Sequence, residues 1–238
     1  MQISNPNINL TCTDADIYNE IFDFTDKSIL ELGCGSAAHA RKIAEHHRKC
    51  HINALEVDKI QHEKNLSNDA PPNITFVEAS AQDIPFDANT VDIVFMFKSL
   101  HHVPIDFMDT AMQEIKRVLK PGGMAYISEP IFAGEYNEIM RIFHDEEVVR
   151  KHAFAAVKKA VESNLMNLKE EIFFKTESKK ESFEIFKNEI LNRTFVEHKL
   201  DDETWANVEE MFEKNMTEDG AVFLQPHRVD LLESKTIL

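Results

Sequence analysis

Apolar positions along the first 130 residues fall into short runs that alternate with amphipathic stretches. Ile29 to Leu32 is one such run, and it breaks at Gly33-Cys34-Gly35. From Ala37 to His47 the spacing becomes helical, with Ala40, Ile43 and Ala44 on one face. Ile52 to Val57 predicts a second strand, and Asp58 to Leu66 a helix. Pro71-Pro72 closes that region before a third strand, Ile74 to Val77. Val91 to Phe97 is almost continuously apolar, as a central strand buried on both faces must be. A helix is predicted from Pro104 to Leu119, stopped by Lys120-Pro-Gly-Gly123, with Met124 to Ser128 as the fifth strand. Such alternation implies right-handed crossovers and a parallel sheet with helices on both sides.

Beyond Pro130 the rhythm changes. Residues 135–168 read as mostly helical, Glu171 to Thr176 as a sixth strand, and helices are predicted near 181–193 and 202–215. Gly220 to Leu224, with Val229 to Leu232, predicts a closing strand or hairpin. No glycine lies between Gly134 and Gly220, so this tail reads as completing the sheet and covering a ligand mouth rather than as a flexible linker.

A chain of 238 residues can bury one domain core, with or without a small cap. It has no apolar run of about 18 residues to span a membrane, and no basic start followed by an apolar stretch. Cys12, Cys34 and Cys50 are scattered and form no Cys-x-x-Cys pair, which suits reduced thiols. A cytoplasmic protein is expected. The formal charge of −16 disfavours a nucleic-acid backbone as partner.

The most chemical stretch is the glycine turn. A strand feeding a glycine turn that opens a helix is how α/β proteins hold nucleotides: Gly33 permits the tight turn and Gly35 the close approach of backbone to ligand. No third glycine completes a dinucleotide fingerprint, since Ala37 and Ala38 follow Ser36, and no Lys-Ser/Thr pair follows, so a P-loop is excluded. Glu31 sets a carboxylate at the end of the strand, where a phosphate would be repelled. These features favour a nucleoside without phosphates, S-adenosylmethionine over NAD.

The series Glu31-Leu-Gly-Cys-Gly35, Glu56, Asp83-Ile-Pro-Phe86, Val91-Asp-Ile-Val94, Leu100-His-His-Val103 and Arg117-Val-Leu-Lys-Pro-Gly-Gly123 resembles the class I S-adenosylmethionine-dependent methyltransferases. It is most similar to their small-molecule branch, which includes quinone-biosynthesis C-methyltransferases. The resemblance spans about residues 25–130. It implies a Rossmann-like, doubly wound, mostly parallel seven-stranded sheet with one antiparallel strand near an edge and a helical C-terminal cap. The expected organisation is a single domain: an N-terminal helical segment over 1–26, a cofactor-binding core over 27–130, and a cap with closing strands over 131–238.

The resemblance also assigns roles. Gly33, Cys34 and Gly35 would lie against the methionine and ribose parts of the cofactor, with Glu31 holding the amino end. Glu56, at the end of the second strand, would accept hydrogen bonds from the ribose hydroxyls; Asp58 is its competitor in Leu-Glu-Val-Asp. Asp83 would accept from the adenine amino group with Gln82 and Ile84 flanking the ring, or else cap a turn before Pro85. Phe97 and Lys98 end the fourth strand beside the reaction centre; a phenyl face suits a sulfonium, with core packing the equal alternative. His101 and His102 are candidates for the base that frees the acceptor of its proton, or for packing and capping. Glu129, Arg141 and His144 are candidate acceptor contacts, although the three-residue spacing of Arg141 and His144 reads first as a surface salt-bridge face. The eleven histidines show no His-x-x-x-His pair with acidic support, so no metal is expected. The expected activity is methyl transfer to a small molecule through oxygen, nitrogen or carbon. The alternatives are a cofactor-binding regulator without chemistry and, behind it, a nucleotide-dependent oxidoreductase.

Overall fold

The computed structural model describes residues 1–191 and 200–235. Eight strands among them form one sheet: β1 (Ser28–Leu32), β2 (His51–Glu56), β3 (Ile74–Glu78), β4 (Val91–Phe97), β5 (Leu119–Pro130), β6 (Met166–Lys180), β7 (Met216–Thr217) and β8 (Gly220–Ser234). Their order is β3-β2-β1-β4-β5-β8-β6, with β7 beside β8. The first five pair in parallel; β8 runs antiparallel to β5, β6 and β7. The helices are α1 (Asp14–Ile21), α2 (Ala38–His46), α3 (Lys59–Ser67), α4 (Met108–Val118), α5 (Glu135–Met140), α6 (Glu147–Glu162), α7 (Phe183–Leu191) and α8 (Asp202–Glu213).

Strand periodicity divides the core. Ile29, Ile52, Ile93, Phe95 and Tyr126 pack on one face with Tyr18 of α1 and Ala40 and Ile43 of α2. Leu30, Leu32, Val94, Met96 and Ile127 pack on the other with α4 and α6. Successive side chains point to opposite faces, so an unbroken apolar β4 is what a doubly covered strand requires. In α4 the buried residues are Met108, Ala111, Met112, Ile115 and Val118, a single helical stripe. Helix α1 opens on a capping box between Thr13 and Asp16, and Asp14 at its start accepts a 3.0 Å bond from the buried Tyr126 hydroxyl.

Several expectations shift. The helix predicted from Pro104 begins only at Met108, after two 3₁₀ turns, Leu100–His102 and Ile105–Phe107. Lys120-Pro-Gly-Gly123 does not simply end a helix. It is an irregularity within β5, whose register with β4 jumps from Val91↔Leu119 to Ile93↔Met124. Gly122 has φ +77°, and a Cβ on Gly123 would stand 3.0 Å from the carbonyls of Asp92 and Lys120, so this stretch serves backbone geometry at the amino edge of the sheet. Strand β6 is much longer than Glu171–Thr176, and the two apolar runs after Gly220 form one strand. In the segment 1–26 the helix covers only Asp14–Ile21. Of the helix predicted over 181–193, residues 192 and 193 lie outside the described residues.

β6 and β8 continue together beyond the end of β5, which last pairs at Pro130↔His227. On this extension α5, α7 and α8 build a third core from Ile139, Phe183, Phe186, Val208, Phe212 and Phe223. The cap is thus rooted in the sheet. Among the described residues no helix is long and apolar enough to cross a membrane.

Candidate functional site

The glycine turn leaves β1 with Gly33 at φ +64°, Gly35 at φ +54° and Ala37, the residue before α2, at φ +57°. The two glycines serve different needs. A Cβ on Gly33 would stand 2.8 Å from the Cβ of Ser99, whereas one on Gly35 would meet nothing within 4 Å. Gly33 therefore admits the neighbouring strand end, and Gly35 faces open space. Both polar groups of Gly35 are tethered: its N–H donates to Glu56 Oε2 at 2.7 Å, and its carbonyl accepts from Asn65 Nδ2 at 2.7 Å. Asn65, buried on α3, was not anticipated; an asparagine inside a helical stretch gives no sequence signal of that contact. Cys34 is buried and its thiol is pushed up, first by desolvation and then by Glu31 and Glu56.

Glu31 lies under the turn, buried, with Oε2 accepting from the Ala40 N–H at 2.9 Å. Desolvation pushes its pKa up to about 8; the Ala40 N–H opposes the shift and Glu56 adds to it. A buried carboxyl in that condition is protonated at pH 7, and a cation placed beside it would stabilise the carboxylate instead. Glu56 is buried at the end of β2 and accepts from the N–H groups of Gly35, Val57 and Asp58. Those bonds fill three of about four acceptor positions of a carboxylate, so one ligand hydroxyl fits as the site stands and a second displaces a loop N–H. Asp58 instead caps α3, accepting from Ile60 and Gln61.

Asp83 is exposed, with Gln82 half-buried and Ile84 buried beside it. The turn they occupy is clamped from α4. Arg117 donates to the carbonyls of Ile84 and Phe86, and Glu114 accepts from the Ile84 N–H at 3.0 Å while pairing with Arg117 at 2.6 Å. The sequence offered Arg117 only as part of a motif; its partner lies across the fold.

Phe97 stacks on His39 at 3.9 Å and 16° and on Phe95 at 5.1 Å, in an aromatic group with Tyr18 and Tyr126. Lys98 follows at φ +53° and borders a cavity of about 410 Å³ at the carboxyl edge of the sheet. The cavity also touches His101, His102, His144, Glu146, Arg150 and Lys180, and on its apolar side Ile131, Tyr136 and Met140. Glu129 lies behind His101 rather than in the cavity lining. Buried at the end of β5, it pairs with His101 Nδ1 and accepts from the Leu100 N–H at 2.9 Å. Burial opposes charging the His101 ring, but Glu129 and then Glu146 outweigh it and hold the pKa above the ordinary value. His102 is open to the cavity on one side. Desolvation by the crowded other side, then the His101 charge, holds it down at about 4.

Arg141 does not join the cavity wall. α5 ends at Met140, so Arg141 and His144 do not share a helical face; Arg141 stands outside, near Glu138, Asp145 and Glu147 at 3.5–3.8 Å. His144 does line the cavity, with Nε2 at 2.9 Å from Glu146 Oε1. His101, His102 and Glu146 bring one ligating atom each within 4.8 Å of one another, a spacing that suits a divalent cation. Glu146 is already engaged there, with Oε2 2.5 Å from Arg150 and Oε1 beside His144. The trio reads as an ion-pair network.

The strand order, the glycine turn and the acidic strand end together define a class I methyltransferase fold. Residues 29–123 match the family described as methyltransferase domain. Over 106 residues it is 33% identical to the ubiquinone/menaquinone biosynthesis C-methyltransferase UbiE of Agrobacterium fabrum, covering 42% of this chain and 40% of that one. Over 123 residues it is 34% identical to the O-methyltransferase rstn1 of Aspergillus nomiae, covering 49% and 53%. The chain thus spans about half or less of the length of these relatives. A SAM-dependent methyltransferase from Methanosarcina mazei superposes with a TM-score of 0.59 at 13% identity, covering 96% of this chain and 100% of that one.

Proposed function

We propose that the chain transfers a methyl group from S-adenosylmethionine to a small-molecule acceptor. The observation that carries this reading is the placement, along one sheet edge, of an open glycine turn with Glu31 and Glu56 next to the cavity that starts at Lys98. The residues fit the cofactor: Glu31 is a buried carboxyl that an amino acid's ammonium would stabilise in its charged form; Gly35 fronts free space; and Glu56 has room for a ribose hydroxyl. When bound, the cofactor supplies an electrophilic methyl on a sulfonium. The chain's part is to align an acceptor at the ends of β4 and β5, exclude water beneath the cap, and take up or pass on the acceptor's proton. His102 is the ring open to the cavity and therefore the one that can touch an acceptor; His101, locked onto Glu129, positions it. The similarity to both a C- and an O-methyltransferase leaves the acceptor atom open.

Titration calorimetry with S-adenosylhomocysteine, S-adenosylmethionine and NAD tests the cofactor, and release of S-adenosylhomocysteine over an acceptor panel tests turnover. Glu56→Ala should weaken S-adenosylhomocysteine binding at least tenfold, and Asp58→Ala much less. Binding of NAD alone would overturn the reading. Tight cofactor binding without turnover on any acceptor would favour a regulator.

A further inference from the structure

Three buried side-chain atoms of residues bordering the cavity have no hydrogen-bond partner among the described residues: Asn137 Nδ2, Arg150 Nε and His227 Nδ1. Buried polar groups are almost always paired, so exceptions gathered around one space point to something that fills it. Arg150 is otherwise engaged, with Glu146 at 2.5 Å, and its Nη1 donates to Asn137 Oδ1 at 3.0 Å. Arginine only donates, so that bond fixes the Asn137 amide with its oxygen toward Arg150 and leaves Nδ2 as a donor with nothing to meet. His227 is held in the same way, by one end. Its Nε2 lies 2.9 Å from Thr176 Oγ1, and Phe174 stacks on the ring at 5.2 Å and 27°. Desolvation, then the charges of Lys98 and Arg150, hold the His227 pKa down at about 3, so the ring is neutral at pH 7. Asn137 stands on α5 in the cap, and His227 on β8 as the register partner of Pro130, where β5 ends. The two approach the cavity from the cap and from the sheet.

We propose that Asn137 and His227 are specificity-determining residues that bind an uncharged oxygen of the acceptor, so that the substrates are small molecules carrying a carbonyl or hydroxyl on an apolar body. This rests on the methyl-transfer reading and names the substrate class for the same site. Asn137 Nδ2 donates, and so takes a carbonyl or hydroxyl oxygen. His227 Nδ1 serves either group, because the Thr176 hydroxyl can donate to Nε2 or accept from it and so allows both tautomers. Both atoms are shielded from water. Only a group seated against the wall meets them, and an analogue without the oxygen leaves them unpaired. Ile131 and Met140 supply the apolar wall. The cations at the cavity ask for no further ion: Arg150 is paired with Glu146, Lys180 with Glu189 at 2.5 Å, and Lys98 is engaged as well.

The test uses the full chain loaded with S-adenosylhomocysteine and pairs of phenols that differ by one oxygen. These are 4-hydroxyacetophenone with 4-ethylphenol, 4-hydroxybenzaldehyde with 4-methylphenol, and resorcinol with phenol. Calorimetry should give about tenfold tighter binding of the oxygenated member in at least one pair, the worth of one hydrogen bond to a buried group. The anion 4-hydroxybenzoate should bind no tighter than the aldehyde. His227→Gln keeps a polar atom near Nε2 for Thr176 but removes Nδ1, whereas His227→Asn keeps one near Nδ1. Asn137→Asp keeps the oxygen that Arg150 uses and replaces the donor, and so reads the same prediction independently of β8. His227→Gln and Asn137→Asp should each lower the preference to about threefold or less; His227→Asn should keep it. No preference in any pair, a tighter carboxylate, or equal losses in His227→Gln and His227→Asn overturns the proposal. So does a preference that survives Asn137→Asp. Failure of the parent protein to bind S-adenosylhomocysteine would instead overturn the methyl-transfer reading.

Discussion

The guanidinium of Arg117 reaches from α4 to the carbonyl of Ile84 at 2.8 Å, fixing the turn that follows Asp83. A second bond at 2.7 Å holds Phe86. Arg117→Ala should therefore lower S-adenosylhomocysteine affinity about tenfold, or about 1.4 kcal/mol. That lies below the usual worth of two charged hydrogen bonds because the side chain is 37% exposed. Calorimetry checks it, and an unchanged affinity would confine the clamp to stability.

Glu31 yields a proton-linkage prediction. Its folded pKa, about 8, lies above the ordinary 4.5. In the cofactor-free protein its contribution to stability is full below the lower value and declines as pH rises through the higher. The ammonium of S-adenosylhomocysteine reverses that preference by stabilising the carboxylate. Binding at pH 7 should release close to one proton, seen as a dependence of calorimetric enthalpy on buffer ionisation enthalpy. Glu31→Gln should remove the dependence. Absence of proton release in the parent protein would place the ammonium elsewhere.

The two glycines of the turn should separate in mutagenesis. Gly33→Ala carries both positive φ and a collision with Ser99, and should cost more stability than the roughly 1–2 kcal/mol of left-handed strain alone. Gly35→Val should leave a folded chain whose cofactor binding is lost, because the added side chain enters the space in front of the turn. Equal melting losses for the two variants would contradict this division.

Because Arg150 and His144 already engage Glu146, removal of divalent metal should not alter the protein. After EDTA treatment and gel filtration, turnover and Tm should match the untreated sample. A loss restored by zinc would turn the His101–His102–Glu146 group into a metal site.

How far the sequence could be read depended on whether a segment's role was local. β4 was legible because burial on both faces writes itself as an unbroken apolar run, and the glycine turn because strand, turn and helix are contiguous. The sequence favours Glu56 over Asp58 because it sits nearer the strand end, and local geometry separates them, one holding the turn and the other capping α3. The length of β6 and β8 was hidden. Their outer halves carry charged residues and Pro226, and they are strands only because each pairs with the other. Lys120-Pro-Gly-Gly123 looked like a helix stop because prolines and glycines mark many kinds of break, and a bulge is recognised only against its partner strand. The cavity's Glu146 and Arg150 were invisible for a similar reason: α6 is brought to the sheet edge by packing, and no spacing in the chain announces it.

β5 and β6 never touch as neighbours; β8 lies between them over most of its length. Before that strand arrives, each would present an unpaired row of N–H and C=O groups, and the cap core would lack Ala221 and Phe223. The sheet can therefore close only after β8 has been made, through contacts between residues far apart in sequence. Until then the nascent protein is a half-sheet with an adhesive edge, the species most exposed to aggregation. Shortening the chain before β8 would leave it in that condition permanently.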